Sequence, residues 1–399
     1  MYVWAVDVSF IINHLGEERY KYYGAVTPPL IRSSNFSFNT VDELRQAFAS
    51  EKNVYLYTRG NNPTTEILRK KLAALAGADD ALVFSSGVAA IAAAIMSHVK
   101  AGDHIVCVQK PYSWTERLLR DYLPRFGVTT TFVDGTNTDN YVKASTSATK
   151  VWMLESPNTF TFELQDIEAL TTLAKERNIV TVADNSYCTS LGQRCIEMGV
   201  DIEVHSASKY YGGHSDMVAG VLLAGRETVK KIFETEWMNL GAILSPDEAW
   251  MMLRSLRTLP LRLQRIQQTT EEVVRFLENH PLVEKVFYPF SNSHPQYQLA
   301  RKQMKWCGGL FSALLRLETT EKVEEFCNHL RAFLMAVSWG GHESLVLPAC
   351  SFFPRGQLSD DRYPYNLVRF YIGLEDASYL IGDLQNAFDQ DKAKNVSQL

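Results

Sequence analysis

Apolar and polar residues alternate along the chain with two distinct periods. Residues 64–76 (TTEILRKKLAALA) carry isoleucine and leucine at the spacing of one helix face, and Gly77 follows where a glycine often ends a helix. The alanine-rich residues 88–96 predict a second helix. Short apolar runs predict strands at residues 81–84, 104–108, 129–133, 151–154 and 179–183. Strands that alternate with helices indicate a mostly parallel sheet covered on both faces, whose ligands bind beyond the carboxyl ends of the strands.

The pattern changes after residues 237–245, which are predicted to form a connection. Helices are predicted beyond it at residues 249–263 and 266–279, and strands of a smaller α/β domain at residues 309–317 and 367–372. We therefore predict an N-terminal segment (1–50), a larger domain built on the mostly parallel sheet (51–245) and a C-terminal domain (246–399).

The two ends of the chain differ from the rest in their pattern of apolar and polar residues. The first twelve residues (MYVWAVDVSFII) are apolar but are interrupted by Asp7 and have no basic stretch before them. They are too short to cross a bilayer, and they predict a strand or an arm that packs on another part of the assembly. No later segment approaches eighteen uninterrupted apolar residues, so a cytoplasmic protein is expected. The polar tail from Asp389 is expected to fray.

Composition narrows the class of protein. A chain of 399 residues exceeds one ordinary core, so two domains are expected. The net charge of −5 gives no broad basic field, which makes nucleic acid and anionic membranes poor partners. The six cysteines form no CxxC pair, and no histidine cluster has zinc spacing, so no metal site is expected. We interpret most of the cysteines as buried thiols in a reducing compartment.

One lysine stands in a segment suited to chemistry. Residues 204–216 (VHSASKYYGGHSD) place Lys209 between the hydroxyl of Ser208 and the flexible pair Gly212 and Gly213. A lysine that forms a Schiff base needs a partly buried setting, in which some of its amine is neutral. Considered without its surroundings, Lys209 could instead be a surface lysine in a turn.

Three other positions fit the same site. Asp184 ends the apolar strand IVTVAD, where it could pair with a protonated pyridine nitrogen or cap the next helix. Ser86 and Gly87 join a strand to a helix near Val88, where backbone N–H groups suit a phosphate, although a plain helix cap is the alternative. Tyr112 follows the strand HIVCV and could stack on a flat cofactor or pack in the core.

These residues lie within motifs that resemble the Cys/Met-metabolism family of pyridoxal 5′-phosphate (PLP) enzymes. This trans-sulfuration family contains cystathionine γ-synthase, the cystathionine β- and γ-lyases and methionine γ-lyase. The resemblance covers about residues 24–388, and its motifs are YTRGNNPT (57–64), FSSGVAA (84–90), ADNS (183–186), HSASKYYGGHSD (205–216), SWGGHESL (338–345) and RFYIGLED (369–376). It implies PLP-dependent fold type I, which is aspartate aminotransferase-like, with a large, mostly parallel seven-stranded sheet domain and a smaller C-terminal α/β domain.

The resemblance also implies a role for each matching position. Lys209 would hold PLP as a Schiff base and move protons, with Tyr112 as a second catalytic residue. Asp184 would bind the ring nitrogen. Tyr57 and Arg59 would reach the phosphate of the neighbouring subunit, which implies a homo-oligomer, a dimer of dimers. The family's cofactor contacts fall on Tyr57, Arg59, Ser86, Gly87, Val88, Tyr112, Asp184, Ser206, Ser208 and Lys209.

The substrate side of the site is implied in the same way. Arg369 would bind the substrate α-carboxylate through a bidentate pair, a task that suits its planar guanidinium. Ser338, Trp339 and Tyr57 would also face the substrate. The chain departs from the family at Ser208, usually threonine, and at Thr159, where many members have an asparagine near the ring hydroxyl.

The residues near the substrate bear on which reaction is catalysed. Trp339 in SWGG is similar to the bacterial β-lyase pattern, and Val337 stands where γ-synthases and cystathionine γ-lyases tend to carry glutamate. Ser113 and Trp114 follow Tyr112 where methionine γ-lyases show a cysteine, which disfavours that activity. The motif GNNPT at residues 60–64 looks more like the γ-acting branch.

From these features we predict β-elimination of cystathionine or a related S-substituted cysteine. The products would be a thiol (homocysteine from cystathionine), pyruvate and ammonia, in the context of methionine biosynthesis. The alternative is γ-elimination or γ-replacement, as in cystathionine γ-lyase or γ-synthase. A more distant alternative is a non-catalytic PLP-binding protein, which the presence of Lys209, Asp184, Tyr112 and Arg369 disfavours.

Overall fold

The computed structural model describes residues 7–352, 354, 358 and 362–396, the last six of them by backbone alone. The described residues form two compact units. The first unit comprises Met1–Glu155, Gln165–Gly212 and Asp216–Thr258, and the second comprises Ser156–Leu164, Gly213–Ser215 and Leu259–Leu399. These units are groups of contacting residues, so the division into domains at residues 50 and 245 stays a prediction.

The first unit is built around a seven-stranded sheet. Its strands are β1 (Asp80–Phe84), β2 (His104–Val108), β3 (Thr129–Val133), β4 (Thr149–Glu155), β5 (Val180–Asp184), β6 (Ile202–Ser206) and β7 (Gly220–Ala224). They lie in the order β1-β7-β6-β5-β4-β2-β3. Strands β2 to β6 pair in parallel, and β7 runs antiparallel to its neighbours β1 and β6. The predicted α/β class with a large, mostly parallel sheet is therefore confirmed.

Helices follow most of these strands. They are α1 (Val8–Asn13), α2 (Val41–Ala49), α3 (Pro63–Ala76), α4 (Gly87–Met96), α5 (Ser113–Arg117), α6 (Asp139–Ala144), α7 (Ile167–Glu176), α8 (Thr189–Gly192), α9 (Arg226–Ile232), α10 (Met238–Leu240) and α11 (Pro246–Leu256). Helix α3 shows why its limits were predictable. The Asn62 side chain accepts from the Thr64 N–H at 2.9 Å, and Gly77 ends the helix with a φ of 72°.

Shorter helical turns complete the first unit and add one to the second. Single 3₁₀ turns lie at Arg19–Tyr22, Glu51–Asn53, Leu123–Phe126 and Ala349–Phe352, and π-helical turns at Leu118–Tyr122 and Phe233–Trp237. The predicted connection at residues 237–245 is thus helical at its start, through α10, and extended at its end. There, the Leu244 N–H donates to the carbonyl of Val83 at 3.0 Å.

The beginning of the described chain corrects one prediction. Residues 8–13 form a helix, α1, instead of a strand, because the Asp7 carboxylate caps it by accepting from the Ser9 N–H at 2.8 Å. The helix buries Ile11 and Ile12, and the carbonyl oxygens of both residues accept hydrogen bonds from Lys71 of α3. Residues 1–6 of the predicted arm lie outside the described residues, and contact with a second subunit stays a prediction.

The second unit contains a smaller, five-stranded sheet. Its strands are β8 (Val283–Phe287), β9 (Leu310–Leu315), β10 (Leu334–Met335), β11 (Leu345–Pro348) and β12 (Leu367–Tyr371), in the order β10-β11-β12-β9-β8. Its helices are α12 (Leu259–Glu278), α13 (Tyr297–Gln303), α14 (Thr320–His329) and α15 (Ala377–Val396). The predicted smaller α/β fold is present.

Two helix limits in this region differ from the prediction. The predicted break at residues 264–265 lies instead between Leu256 and Leu259, because Pro260 has no N–H to donate and is tolerated only in the first turn of a helix. The tail from Asp389 belongs to α15, whose backbone remains helical through Val396. On the surface of this helix, the side chain of Gln385 donates a hydrogen bond to the side chain of Asp389 at 3.1 Å.

All six cysteines are buried, as the sequence predicts for most of them. Burial raises the pKa of Cys107, Cys195, Cys327 and Cys350. Within the described residues no group of histidine, cysteine and acidic side chains is arranged to hold a metal ion. In the same part of the chain, no helix is long and apolar enough to cross a membrane.

Candidate active site

The predicted cofactor residues of the first unit lie at one edge of its sheet. Asp184 is the last residue of β5 and is in register with Glu155, the last residue of β4. Phe84 of β1 and Ser206 of β6 both stand opposite Gly220 of β7. The carboxyl ends of the parallel strands therefore meet at one edge, where ligands of such sheets bind.

The start of helix α4 forms a cradle at this edge. The Ser86 hydroxyl caps the helix by accepting from the Ala89 N–H at 3.2 Å, which leaves the N–H groups of Gly87 and Val88 without an acceptor inside the helix. A Cβ atom on Gly87 would lie 2.8 Å from the Cα of Ser206, so only glycine allows this approach. N–H groups that have no acceptor inside the helix, at the positive end of a ten-residue helix, suit a phosphate.

Asp184 is a buried carboxylate whose two oxygen atoms differ in their hydrogen bonds. Its Oδ1 accepts from the Ser186 N–H at 3.0 Å and from the Ser186 hydroxyl at 2.6 Å. Burial raises the pKa of Asp184, and the bonds from Ser186 together with the charges of His205 and Lys209 lower it. Among the described residues, none donates a hydrogen bond to Oδ2. That oxygen is therefore available to a ligand N–H.

Lys209 lies in the turn that follows β6 and is half-buried. Its N–H donates to the carbonyl of Ser206 at 3.2 Å, and its charge acts on Asp184, so the two side chains belong to the same site. The Ser208 hydroxyl accepts from the Ala219 N–H at 2.9 Å and donates to the Ala219 carbonyl at 3.3 Å. A contact of Ser208 with phosphate stays a prediction.

Tyr112 caps the short helix α5 and is partly exposed. Its N–H donates to Oε2 of the buried Glu155 at 2.7 Å. Burial raises the pKa of the Tyr112 hydroxyl, and the negative charges of Asp184 and Glu155 raise it further. The hydroxyl therefore keeps its proton at neutral pH, close to Asp184.

Tyr57 and Arg59 lie together in an exposed segment of the first unit. The Arg59 guanidinium stacks over the Tyr57 ring at 5.4 Å, and 44% of Tyr57 is exposed. The backbone is fixed by a bond from the Thr58 N–H to the carbonyl of Ser34 at 2.8 Å. That the two residues act in the site of a neighbouring subunit stays a prediction.

The second unit holds the residues predicted to face the substrate. Arg369 lies in the middle of β12, with its guanidinium 4.7 Å from the centre of the Phe160 ring. Its Nη2 donates to the carbonyl of Ser338 at 3.4 Å. Burial lowers the pKa of Arg369 to about 10, so it remains a cation at neutral pH. A buried cation held by a ring face and one carbonyl is suited to bind a carboxylate.

The loop that follows β10 carries Val337 and Trp339, which the sequence analysis used to compare the possible reactions. Val337 is 72% exposed and Trp339 is half-buried. Between them, Ser338 adopts a φ of 80°, which directs its carbonyl to Arg369. Near Thr159, the amide of Asn158 is used inside its own segment, because it donates to Glu163 at 2.6 Å.

The structure thus brings together Gly87, Ser206, Asp184, Lys209 and Tyr112 in the first unit, and Arg369 with Ser338 in the second. The sequence did not assign a role to Ser186, Glu155 or Phe160. Ser186 and Glu155 could have been found, because each is polar and lies at or just after the end of an apolar strand. Phe160 could not, since its contact with Arg369 joins distant parts of the sequence.

These residues fit a phosphorylated pyridine aldehyde. The cradle of α4 suits its phosphate, Oδ2 of Asp184 suits its ring N–H, and Lys209 supplies an amine beside them. The fold and the site therefore define a PLP-binding enzyme.

Comparison with known proteins identifies the family. Residues 10–389 match the model of the "Cys/Met metabolism PLP-dependent enzyme" family, so the chain belongs to that family. PLP is its cofactor, and fold type I is confirmed with it. The prediction from the sequence motifs was therefore correct at the level of family, fold and cofactor.

Several curated relatives span nearly the whole chain. An L-methionine γ-lyase of Fusobacterium nucleatum subsp. nucleatum is 35% identical over 92% of this chain and 94% of its own length. A cystathionine γ-lyase of Bacillus subtilis is 32% identical, with 92% and 95% covered. An L-alanine/L-glutamate racemase of the Wolbachia pipientis strain wMel is 34% identical, with 94% and 96% covered.

Proposed function

We propose that the protein is a carbon–sulfur lyase that breaks the Cγ–S bond of a thioether amino acid, either cystathionine or methionine. With one water consumed, the products are 2-oxobutyrate, ammonia and a thiol. The observation that carries this proposal is the match over more than nine-tenths of the chain to relatives named γ-lyases. The motif GNNPT at residues 60–64 agrees with it.

Two side chains of the first unit would move the protons. When bound, PLP supplies an electron sink for the pair released at Cα. The Nζ of Lys209 takes the Cα proton, and γ-elimination requires that it also take a proton from Cβ. The hydroxyl of Tyr112 donates a proton to the departing sulfur, a role that agrees with its raised pKa.

The remaining residues hold the reactants. Asp184 binds the ring N–H through Oδ2, and the N–H groups of Gly87 and Val88 bind the phosphate, with the hydroxyls of Ser86, Ser206 and Ser208 as predicted contacts. Arg369 binds the substrate α-carboxylate through a bidentate pair. Ser338 and Trp339 are proposed to line the substrate side.

β-Elimination of cystathionine is the second candidate. Two residues favour it: Trp339, which resembles the β-lyase pattern, and Val337, which replaces the glutamate common in γ-acting members. Loss of that carboxylate makes this part of the loop less polar. The products would be homocysteine, pyruvate and ammonia.

Identification of the keto acid decides between the two candidates. The purified holoenzyme is incubated with cystathionine and, separately, with methionine, and the keto acid is identified by mass spectrometry. We expect 2-oxobutyrate from at least one substrate and none from the Lys209→Ala variant. Pyruvate alone from cystathionine would establish β-elimination. Racemised alanine or glutamate without any keto acid, or no turnover with PLP bound, would overturn both candidates.

A further inference from the structure

A fully buried polar cluster lies beside the candidate site in the first unit. Glu203 and His205 point to the same face of β6, and their exposed fractions are 0% and 1%. The Oε1 atom of Glu203 accepts from the Nε2 of His205 at 2.7 Å, from the Ser190 hydroxyl at 2.7 Å and from the Asn185 side chain at 2.9 Å. One carboxylate oxygen thus organises three neighbouring side chains.

Such a pair is unusual at the centre of a sheet. Strand β6 lies between β5 and β7, and its other inner residues are apolar. Removal of a carboxylate and an imidazole from water is unfavourable, and well-packed apolar side chains would often stabilise the fold as well or better. Stability alone therefore gives no reason for Glu203 and His205 to be there.

The cluster reaches Asp184 by two routes. Asn185, the next residue after Asp184, is bonded to Glu203 and donates its own N–H to the carbonyl of Val204 at 2.9 Å. The charge of His205 also lowers the pKa of Asp184, which burial raises. The first route fixes the position of the residue, and the second favours its ionised form.

We propose that Glu203 and His205 are positioning residues that keep Asp184 in place and ionised, so that the ring nitrogen of bound PLP keeps its proton. This inference rests on the role proposed above for Asp184. The other ionisable groups around the pair are Cys195 and Tyr211, whose ring lies 5.0 Å from that of His205. Lys209 acts on Asp184 itself. The segments α4, α8 and β7 present no ionisable side chain to it.

The test uses two variants of similar shape, Glu203→Gln and His205→Gln. The second keeps a side-chain N–H for Glu203 but cannot carry a charge. The visible absorption of the bound cofactor is titrated with pH without substrate, and the pH profiles of kcat and KM are measured separately. In His205→Gln we expect the acid-side transition of both the spectrum and kcat to move upward by about one pH unit, because the charge that lowers the pKa of Asp184 is removed. Both should also move in Glu203→Gln, because His205 and Asn185 lose the carboxylate that orients them. KM should stay within about threefold, since neither residue touches substrate.

His104→Gln is the matched control. His104 is another buried histidine of the same sheet, bonded to the hydroxyls of Thr149 at 2.8 Å and Thr131 at 2.9 Å. Its replacement disturbs a buried imidazole to a similar degree and should leave the spectrum unchanged. If Glu203→Gln and His205→Gln fold, bind PLP and titrate like the unmodified enzyme, the inference is wrong.

Two further variants keep the test decisive. If either glutamine variant fails to fold, Ser190→Ala removes one bond to Glu203 and should move the transition in the same direction by a smaller amount; no movement would overturn the inference. Asp184→Asn tests the underlying role. If Asp184→Asn leaves spectrum and kcat intact, the proposed role of Asp184 fails. If Asp184→Asn changes them and the pair variants do not, only the inference about Glu203 and His205 fails.

Discussion

At the scale of single residues, Glu155 sets the surroundings of Tyr112. Its carboxylate accepts the Tyr112 N–H and fixes where helix α5 begins. The same charge raises the pKa of the Tyr112 hydroxyl, together with burial and with Asp184. A tyrosine with a raised pKa remains a proton donor over the whole physiological range. One carboxylate therefore controls both the position and the protonation of this residue.

Glu155→Gln is expected to lower the pKa of Tyr112, because it removes a nearby negative charge and keeps an acceptor for the N–H. The phenolate should then form at a lower pH, and the alkaline limb of kcat should move down with it. Ultraviolet difference titration measures the phenolate, and Tyr112→Phe identifies its signal. The control is Glu176→Gln, an exposed residue of α7 that should change nothing. An unaltered Tyr112 titration in Glu155→Gln would contradict the explanation.

At the scale of elements, a buried lysine fastens α1 to α3. The Nζ of Lys71 donates to the carbonyls of Ile11 at 2.9 Å and Ile12 at 3.0 Å and lies 3.1 Å from the carboxylate of Glu17. These acceptors include the carbonyls at the end of α1, which have no partner inside that helix. The short helix is therefore held by one side chain of its neighbour.

Lys71→Ala is expected to lower the free energy of unfolding by about 3 kcal/mol, because it leaves buried acceptors without a donor. Lys70→Ala is the matched control. Lys70 is adjacent in sequence, but its ion pair with Glu66 is half-exposed and should contribute less than about 1 kcal/mol. Denaturation in urea measures both variants. Equal effects would show that burial of the Lys71 pair is not what stabilises α1.

The elements that could be predicted from sequence are those whose apolar pattern is unbroken. Strand β3 matches its prediction, and α3 and β5 differ by one residue at their ends. Strand β6 was not predicted, because Glu203 and His205 interrupt its apolar residues and their mutual bond is invisible in the sequence. The motifs were enough to predict cofactor residues, and Ser186 could have been added from its place just after β5. The contact of Phe160 with Arg369 required the folded structure.

At the scale of the whole molecule, the exposed pair Tyr57 and Arg59 is predicted to serve an assembly. Both side chains stand at the surface of the described chain, stacked on each other and held by a backbone bond to Ser34. Their predicted function requires a second copy of the chain, because each would act in the site of its neighbour. The proposed homo-oligomer can therefore be tested through activity.

Mixing two inactive variants tests the sharing of sites between subunits. Arg59→Ala and Lys209→Ala are unfolded together and refolded, so that subunits combine at random. If Arg59 serves the neighbouring subunit, half of the dimers are mixed and each has one intact site, which gives about a quarter of the unmodified activity. A mixture as inactive as its components would show that Arg59 does not act across the interface. Refolding each variant alone provides the control.

The burial of all six cysteines has a consequence for an enzyme proposed to release a thiol in every turnover. Mixed disulfides form when a protein thiolate meets a disulfide or an oxidised small thiol, and the rate follows the accessible thiolate. In this chain the sulfur atoms are shielded, and burial raises the pKa of four of them. We therefore expect these thiols to exchange slowly with the sulfur compounds that surround the enzyme.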